Sequence, residues 1–174
     1  MIDQFNESLQ WLNDFSREGA EAEFLECCGS TRWASALTEA RPFTSADDLA
    51  AKADRAWWSL GEEDWLEAFR AHPKIGEKKA ATAQSEEARK WSAQEQSGTQ
   101  NAAADTMAAL AAGNQDYEER FGFIFIVCAT GKSSEEMLAM LNGRLQNDAE
   151  TELRIAAEEQ RKIMQLRLEK LLNK

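Results

Sequence analysis

The 174-residue chain predicts an all-α fold, and three features of the sequence carry that reading. Apolar residues recur at three- and four-residue steps along most of its length. Serines ahead of acidic first turns, and glycines or prolines past the last periodic residue, mark off stretches of helical length. Only one segment, FGFIFIVCATG (121–131), departs from that period.

Taken in order, residues 4–15 set Phe5, Leu9, Leu12 and Phe15 on one helical stripe. A short amphipathic piece over 21–28 carries Phe24 and Leu25. Ser30 caps a helix over TRWASALTEA, which must stop near Ala40 because Pro42 disfavours helical geometry at Arg41. Ser45 caps ADDLAAKADRAWWSL, with acids in the first turn where the helix dipole prefers them, and Gly61 ends it. EEDWLEAFRAH is the next helix, stopped by Pro73 directly after His72. Residues 77–104 are rich in Ala, Glu, Gln, Lys and Ser, with Trp91 as the main apolar anchor. They read as a helix over 85–96, a break at Ser97-Gly98, then a long helix to Arg120. FGFIFIVCATG, bounded by Gly122 and Gly131, is either a buried strand or an extended segment, and periodicity does not decide between them. Ser134 opens EEMLAMLNGRLQN, and 149–172 is the final helix. No repeat or linker divides the chain, so one helical domain over 1–174 is expected.

The charge balance, 20 basic against 31 acidic side chains, gives a formal −11. Such a surface repels phosphate backbones and anionic membranes, so neither nucleic acid nor membrane is an expected partner. The apolar run FIFIVCA is far shorter than a membrane span, and MIDQFNESLQWL lacks the basic start of a signal peptide. A cytoplasmic location follows as the expectation. Cys27, Cys28 and Cys128 are odd in number and two are adjacent, which suits buried free thiols rather than disulfides. With no CxxC pair and a single histidine, no metal site is expected.

Five features could carry chemistry. His72 sits at a helix end, where the dipole favours imidazolium, and could serve as a general acid near neutral pH; its plainer reading is a surface cap on carbonyls. In WSAQEQSG (91–98), Ser92 lies three residues from Glu95 and four from Gln96, so the three share one helical face able to grip a polar, nitrogen-rich ligand. A solvated face would look the same. Arg167 falls on the stripe of Ile163 and Leu171, where a guanidinium either snorkels to the edge or meets an anion. FIFIVCATG offers backbone N–H groups to an anion if no sheet uses them, and otherwise is plain core. NGRLQN (142–147) with Glu150 has surface salt bridging as its easy explanation.

In their order along the chain, these stretches match a family. RPF (41–43), HPKIG (72–76), SAQEQSG (92–98), NQDYEERFGF (114–123), RLQN (144–147) and EEQRKIMQLRL (158–168) make the chain resemble 2-oxo-4-hydroxy-4-carboxy-5-ureidoimidazoline (OHCU) decarboxylase, the enzyme of urate degradation that yields (S)-allantoin. The landmarks run from residue 41 onward; the first forty residues are less distinctive. One departure is Ile124, where many relatives carry proline.

The resemblance implies an all-α helical bundle, a homodimer, and catalysis without metal or organic cofactor. It makes His72 the catalytic histidine, with Glu95 as its acidic partner, and Arg167 a substrate-binding arginine. Pro73, Ser92, Gln96 and the main chain of Phe125, Ile126, Val127, Cys128 and Ala129 are implied as further contacts to the small ureidoimidazoline substrate. In that chemistry an imine of the substrate ring takes the electrons left by CO2, and a positioned proton carrier sets the product's hand. His72 acts on the substrate hydroxyl or delivers the proton, and Glu95 sets its tautomer and charge. Two rival readings stand beside this one: a noncatalytic helical interaction module, and a related helical enzyme acting on another ureido or heterocyclic acid.

Overall fold

The computed structural model describes residues 2–76, 85–99 and 103–174, with the side chains of 2–5 and 99 set aside. The side chain of Phe5 in the expected first stripe, and residues 100–102 of the expected long helix, therefore lie outside what is described. Nine α-helices and one 3-10 turn are present among the described residues, and no strand. The helices are α1 (Ile2–Asp14), α2 (Arg17–Cys27), α3 (Thr31–Glu39), α4 (Ala46–Trp58), α5 (Glu62–Arg70), α6 (Glu86–Glu95), α7 (Ala104–Phe121), α8 (Ser134–Arg144) and α9 (Ala149–Leu172). The 3-10 turn is Ser97–Thr99. All-α is therefore the fold class. The chain forms two compact units, 1–68 with 161–174 and 69–160, so α9 gives its first half to the second unit and its remainder to the first.

The helix starts follow local chemistry. Ser30 accepts from the Trp33 N–H, Ser45 from the Asp48 N–H and Ser85 from the Ala88 N–H, each satisfying an otherwise orphaned donor. Two starts differ from expectation. Ser16 caps α2, which begins several residues before the amphipathic stretch, and Leu25 on that helix is exposed rather than packed. Ser133, not Ser134, caps α8, because Glu136 three residues on returns a hydrogen bond to the Ser133 N–H and completes a capping box.

The first unit is built on large apolar side chains. Leu12, Phe24, Trp33, Leu37, Phe43, Leu49 and Trp57 are buried, and Phe24 meets Trp33 and Phe43 edge-on. Each such side chain contributes about 1.5–3 kcal/mol of transfer free energy. Arg41 fastens helix ends there, donating to the carbonyls of Leu12, Phe15 and Thr38.

The second unit packs Leu110, Tyr117, Phe125, Val127, Met137 and Leu141 into its core. α7 ends at Gly122, whose φ of +81° gives the left-handed C-cap that side chains resist. From there the chain runs extended through Phe125–Ala129, all five buried, and turns at Gly131 into α8. This settles the alternative left by the apolar run: it is an extended core segment without a strand partner among the described residues. Gly98 lets the 3-10 turn press against this region, since a Cβ there would collide with the Lys132 carbonyl.

Candidate active site

His72 lies in a turn two residues beyond the end of α5, half-buried, with its N–H donating to the Phe69 carbonyl at 3.1 Å. Contacts to three helices hold that turn. The Gly76 N–H donates to Gln96 Oε1 at 3.1 Å, tying the turn to the end of α6. Asn114 Nδ2 on α7 donates to the Ile75 carbonyl at 3.1 Å. His72 Nε2 lies 2.7 Å from Oε1 of Gln160 on α9. A cavity of about 250 Å³ opens beside Lys74, Ile75, Gly76 and Asn114, but His72, Ser92 and Glu95 do not line it.

The polar face of α6 is no solvated face. Ser92 and Glu95 are 5% and 8% exposed, beside the buried Trp91, while Gln96 is half-buried. Burial of a hydroxyl and a carboxylate costs free energy that a surface position avoids, so these residues are held for what they touch.

The extended segment is organised by polar groups the sequence reading passed over. The Cys128 N–H donates to Glu159 Oε2 at 2.7 Å, so that donor is already engaged within the protein. The Ile126 carbonyl accepts from Arg144 Nη1 at 2.6 Å, and the Cys128 carbonyl from Lys132 Nζ at 2.7 Å. Arg144 is itself buried. Its Nε donates to Glu152 Oε1 at 2.6 Å, the Tyr117 hydroxyl donates to the same oxygen at 2.5 Å, and the guanidinium lies 4.5 Å from the Phe125 ring centre. RLQN is therefore not a surface ion-pair cluster but the anchor of the segment; its charge partner is Glu152, one turn beyond the start of α9. Burial, chiefly, drives the Tyr117 hydroxyl far above its ordinary range.

Burial likewise raises the Cys128 thiol, opposed by Lys132 and reinforced by the charges of Glu159 and Glu95. Glu95 is thus within electrostatic reach of the extended segment. Within the second unit, Gln96 is bonded to the turn that carries His72, and Glu95 and Glu159 act on Cys128. Arg167 belongs to the first unit, 3% exposed, with Nη1 donating to the Glu26 carbonyl at 3.3 Å. Its charge faces the buried thiols of Cys27 and Cys28. It does not snorkel to the edge. All three cysteines are free and buried, as their number and spacing suggested.

A family profile described as OHCU decarboxylase matches residues 13–169. The chain belongs to the OHCU decarboxylase family. It is 32% identical to the 2-oxo-4-hydroxy-4-carboxy-5-ureidoimidazoline decarboxylase of Haloferax volcanii, over 92% of this chain and 94% of that protein. It is 38% identical to the uric acid degradation bifunctional protein TTL of Arabidopsis thaliana, over 90% of this chain but 48% of that protein, so it spans about half of that relative's length. A crystal structure of OHCU decarboxylase in the presence of (S)-allantoin superposes with a TM-score of 0.76 at 37% identity, covering 87% of this chain and 98% of that one. An (S)-allantoin synthase structure, 20% identical, shares the fold with a TM-score of 0.71.

The family's expected contacts include Pro73, half-buried in the same turn as His72. The signals missed were of one kind. Gln160 sits in the four-spaced row Ala156, Gln160, Met164, Leu168, a primary amide among buried apolar residues, and that misfit was readable. Glu159 and Arg144 gave no such sign.

Proposed function

We propose that this chain decarboxylates 2-oxo-4-hydroxy-4-carboxy-5-ureidoimidazoline to (S)-allantoin in urate degradation, through a site centred on His72 and Glu95. The observation that carries this reading is the fastening of the HPKIG turn to the C-terminal end of α6 by Gln96 and to the middle of α9 by Gln160, in a chain of this family. The bond between the ring carbon and the carboxylate breaks with release of CO2; its electron pair forms a ring C=C bond while the pair of the neighbouring C=N bond moves onto nitrogen, which takes up a proton. The resulting enol-type ring is then protonated on carbon from one face as its hydroxyl gives up a proton and becomes the ring carbonyl. His72 supplies a positioned proton carrier, a role typically worth about a hundred- to ten-thousandfold in rate. The Glu95 carboxylate favours the protonated ring. Ser92, Gln96, Pro73 and the main chain of 125–129 orient the ureido arm and ring edges, and Arg167 binds an anionic or carbonyl group by its planar fork.

Residues 1–174 act as one catalytic domain, a reading supported by a family profile that runs through both compact units. A homodimer in the cytoplasm is the working form, on the family resemblance. No helix among the described residues is long and apolar enough to cross a membrane. Light scattering after size exclusion checks the dimer.

The site is tested with the unstable substrate generated in situ and (S)-allantoin followed by its optical activity. Arg167→Lys keeps the charge but not the two-point fork, and kcat/KM is expected to fall by roughly 1.5–3 kcal/mol, the range for hydrogen bonds to charged groups. A loss of melting temperature with unchanged kinetics would make Arg167 a structural residue.

A further inference from the structure

Gln160 is fully buried, at 0% exposure, and its neighbours at four-residue spacing, Ala156 and Met164, are fully buried as well. A primary amide in such a row costs free energy unless it is hydrogen-bonded. Yet its Nε2 has no hydrogen-bond partner among the described residues. The contact that remains is Oε1 against His72 Nε2 at 2.7 Å. Turning the amide over would leave the oxygen unpaired instead, and would set an N–H against a ring nitrogen that must then be bare. Leucine or methionine would fill the same volume without either penalty. Half of the amide's bonding capacity is given up at this position, and what is kept is directed at the one imidazole in the chain.

We infer that Gln160 is a positioning residue for the decarboxylation: its amide oxygen holds the proton on His72 Nε2 and fixes the ring plane, so that Nδ1 is the nitrogen that exchanges the reacting proton. The inference rests on His72 being the catalytic imidazole. It divides two tasks that the sequence reading gave to Glu95 together. Gln160, neutral and buried, sets the tautomer; Glu95 sets the charge. It also places adjacent residues of α9 at two parts of the site, since Glu159 holds the Cys128 N–H while Gln160 holds His72.

A single histidine makes the test direct, because 15N-labelled histidine gives one imidazole spin system. At a pH where the ring is neutral, the wild-type protein is expected to show a protonated Nε2 with a slowly exchanging proton, and a bare Nδ1. A bare Nε2 in that spectrum would overturn the inference without any variant. Gln160→Met keeps the volume and removes the acceptor. The slow Nε2 proton should then disappear, and kcat should fall roughly tenfold, the factor carried by one ordinary hydrogen bond, with KM nearly unchanged. Gln160→Glu restores an acceptor and should restore the slow proton. A folded Gln160→Met protein with wild-type kcat would sink the positioning role. If His72→Asn is inactive in the same assay, the catalytic assignment of His72 survives that failure; if it too is fully active, the assignment has failed first.

Discussion

The two compact units are stabilised in different ways. In the first, the interior is aromatic and aliphatic: Phe24, Trp33, Leu37, Leu49 and Trp57 fill it, and Ser30, Thr38, Asp64 and Arg167 are its buried polar residues. In the second, Ser92, Glu95, Asn114, Ser134, Arg144, Glu152, Glu159 and Gln160 are all buried, three of them carboxylates. Apolar burial stabilises without regard to direction, whereas a buried polar group is tolerable only in one bonded arrangement. The first unit reads as packing. The second holds an extended backbone and a histidine in chosen orientations at a cost in free energy, which is what a reacting site requires.

Substitutions sharpen that difference. Arg144→Leu strips the buried Glu152 of its cation and the Ile126 carbonyl of its donor. Removing one member of a buried pair typically costs about 3–5 kcal/mol, so the melting temperature should fall steeply and activity with it. Replacing Arg144 and Glu152 together by leucine should cost less than the single change. A neutral Arg144→Leu would mean the network is dispensable. In the first unit, Leu49→Ala opens a cavity and is expected to cost about 3 kcal/mol in chemical denaturation, while kcat per folded molecule stays at the wild-type value. A kinetic defect larger than the stability defect would break the distinction between the units.

The smallest effect concerns alkaline pH. Burial is the main cause that pushes the Cys28 thiol up to about 12, and it raises Cys27 as well. A folded-state pKa above the unfolded value of 9.0 means the folded chain keeps a proton that the unfolded chain releases. That contribution is complete below pH 9 and is lost as pH rises towards about 12. Melting temperature should therefore fall between those limits, and less steeply in Cys28→Ala. Equal slopes in the two proteins would remove the thiol from the account.

Legibility in the sequence follows the same division. Helices of the first unit were readable because each carries its own signals: the serine caps of α3 and α4, acids in the first turn of α4, and Pro42 after α3. α2 begins earlier than the apolar pattern suggests because its first turn has no apolar stripe, only the Ser16 cap. Residue types and family landmarks nominate His72, Ser92, Glu95 and Arg167 for the proposed site. Its supporting contacts were not readable. Arg144 and Glu152 are eight residues apart on different helices, and nothing in RLQN distinguishes a buried guanidinium from an exposed one. The same holds for FIFIVCA, whose extended path is set by Arg144 and Glu159 rather than by a neighbouring strand.

The central claim is that His72 carries the proton in this chain's chemistry. His72→Asn keeps a polar side chain near Gln160 and removes the titrating ring. With substrate generated in situ, the rate of (S)-allantoin formation above the spontaneous background should drop by at least about a hundredfold, while the circular dichroism of the helices and the melting temperature stay close to wild type. Enantiospecific allantoin formed by the folded variant at the wild-type rate would contradict the claim.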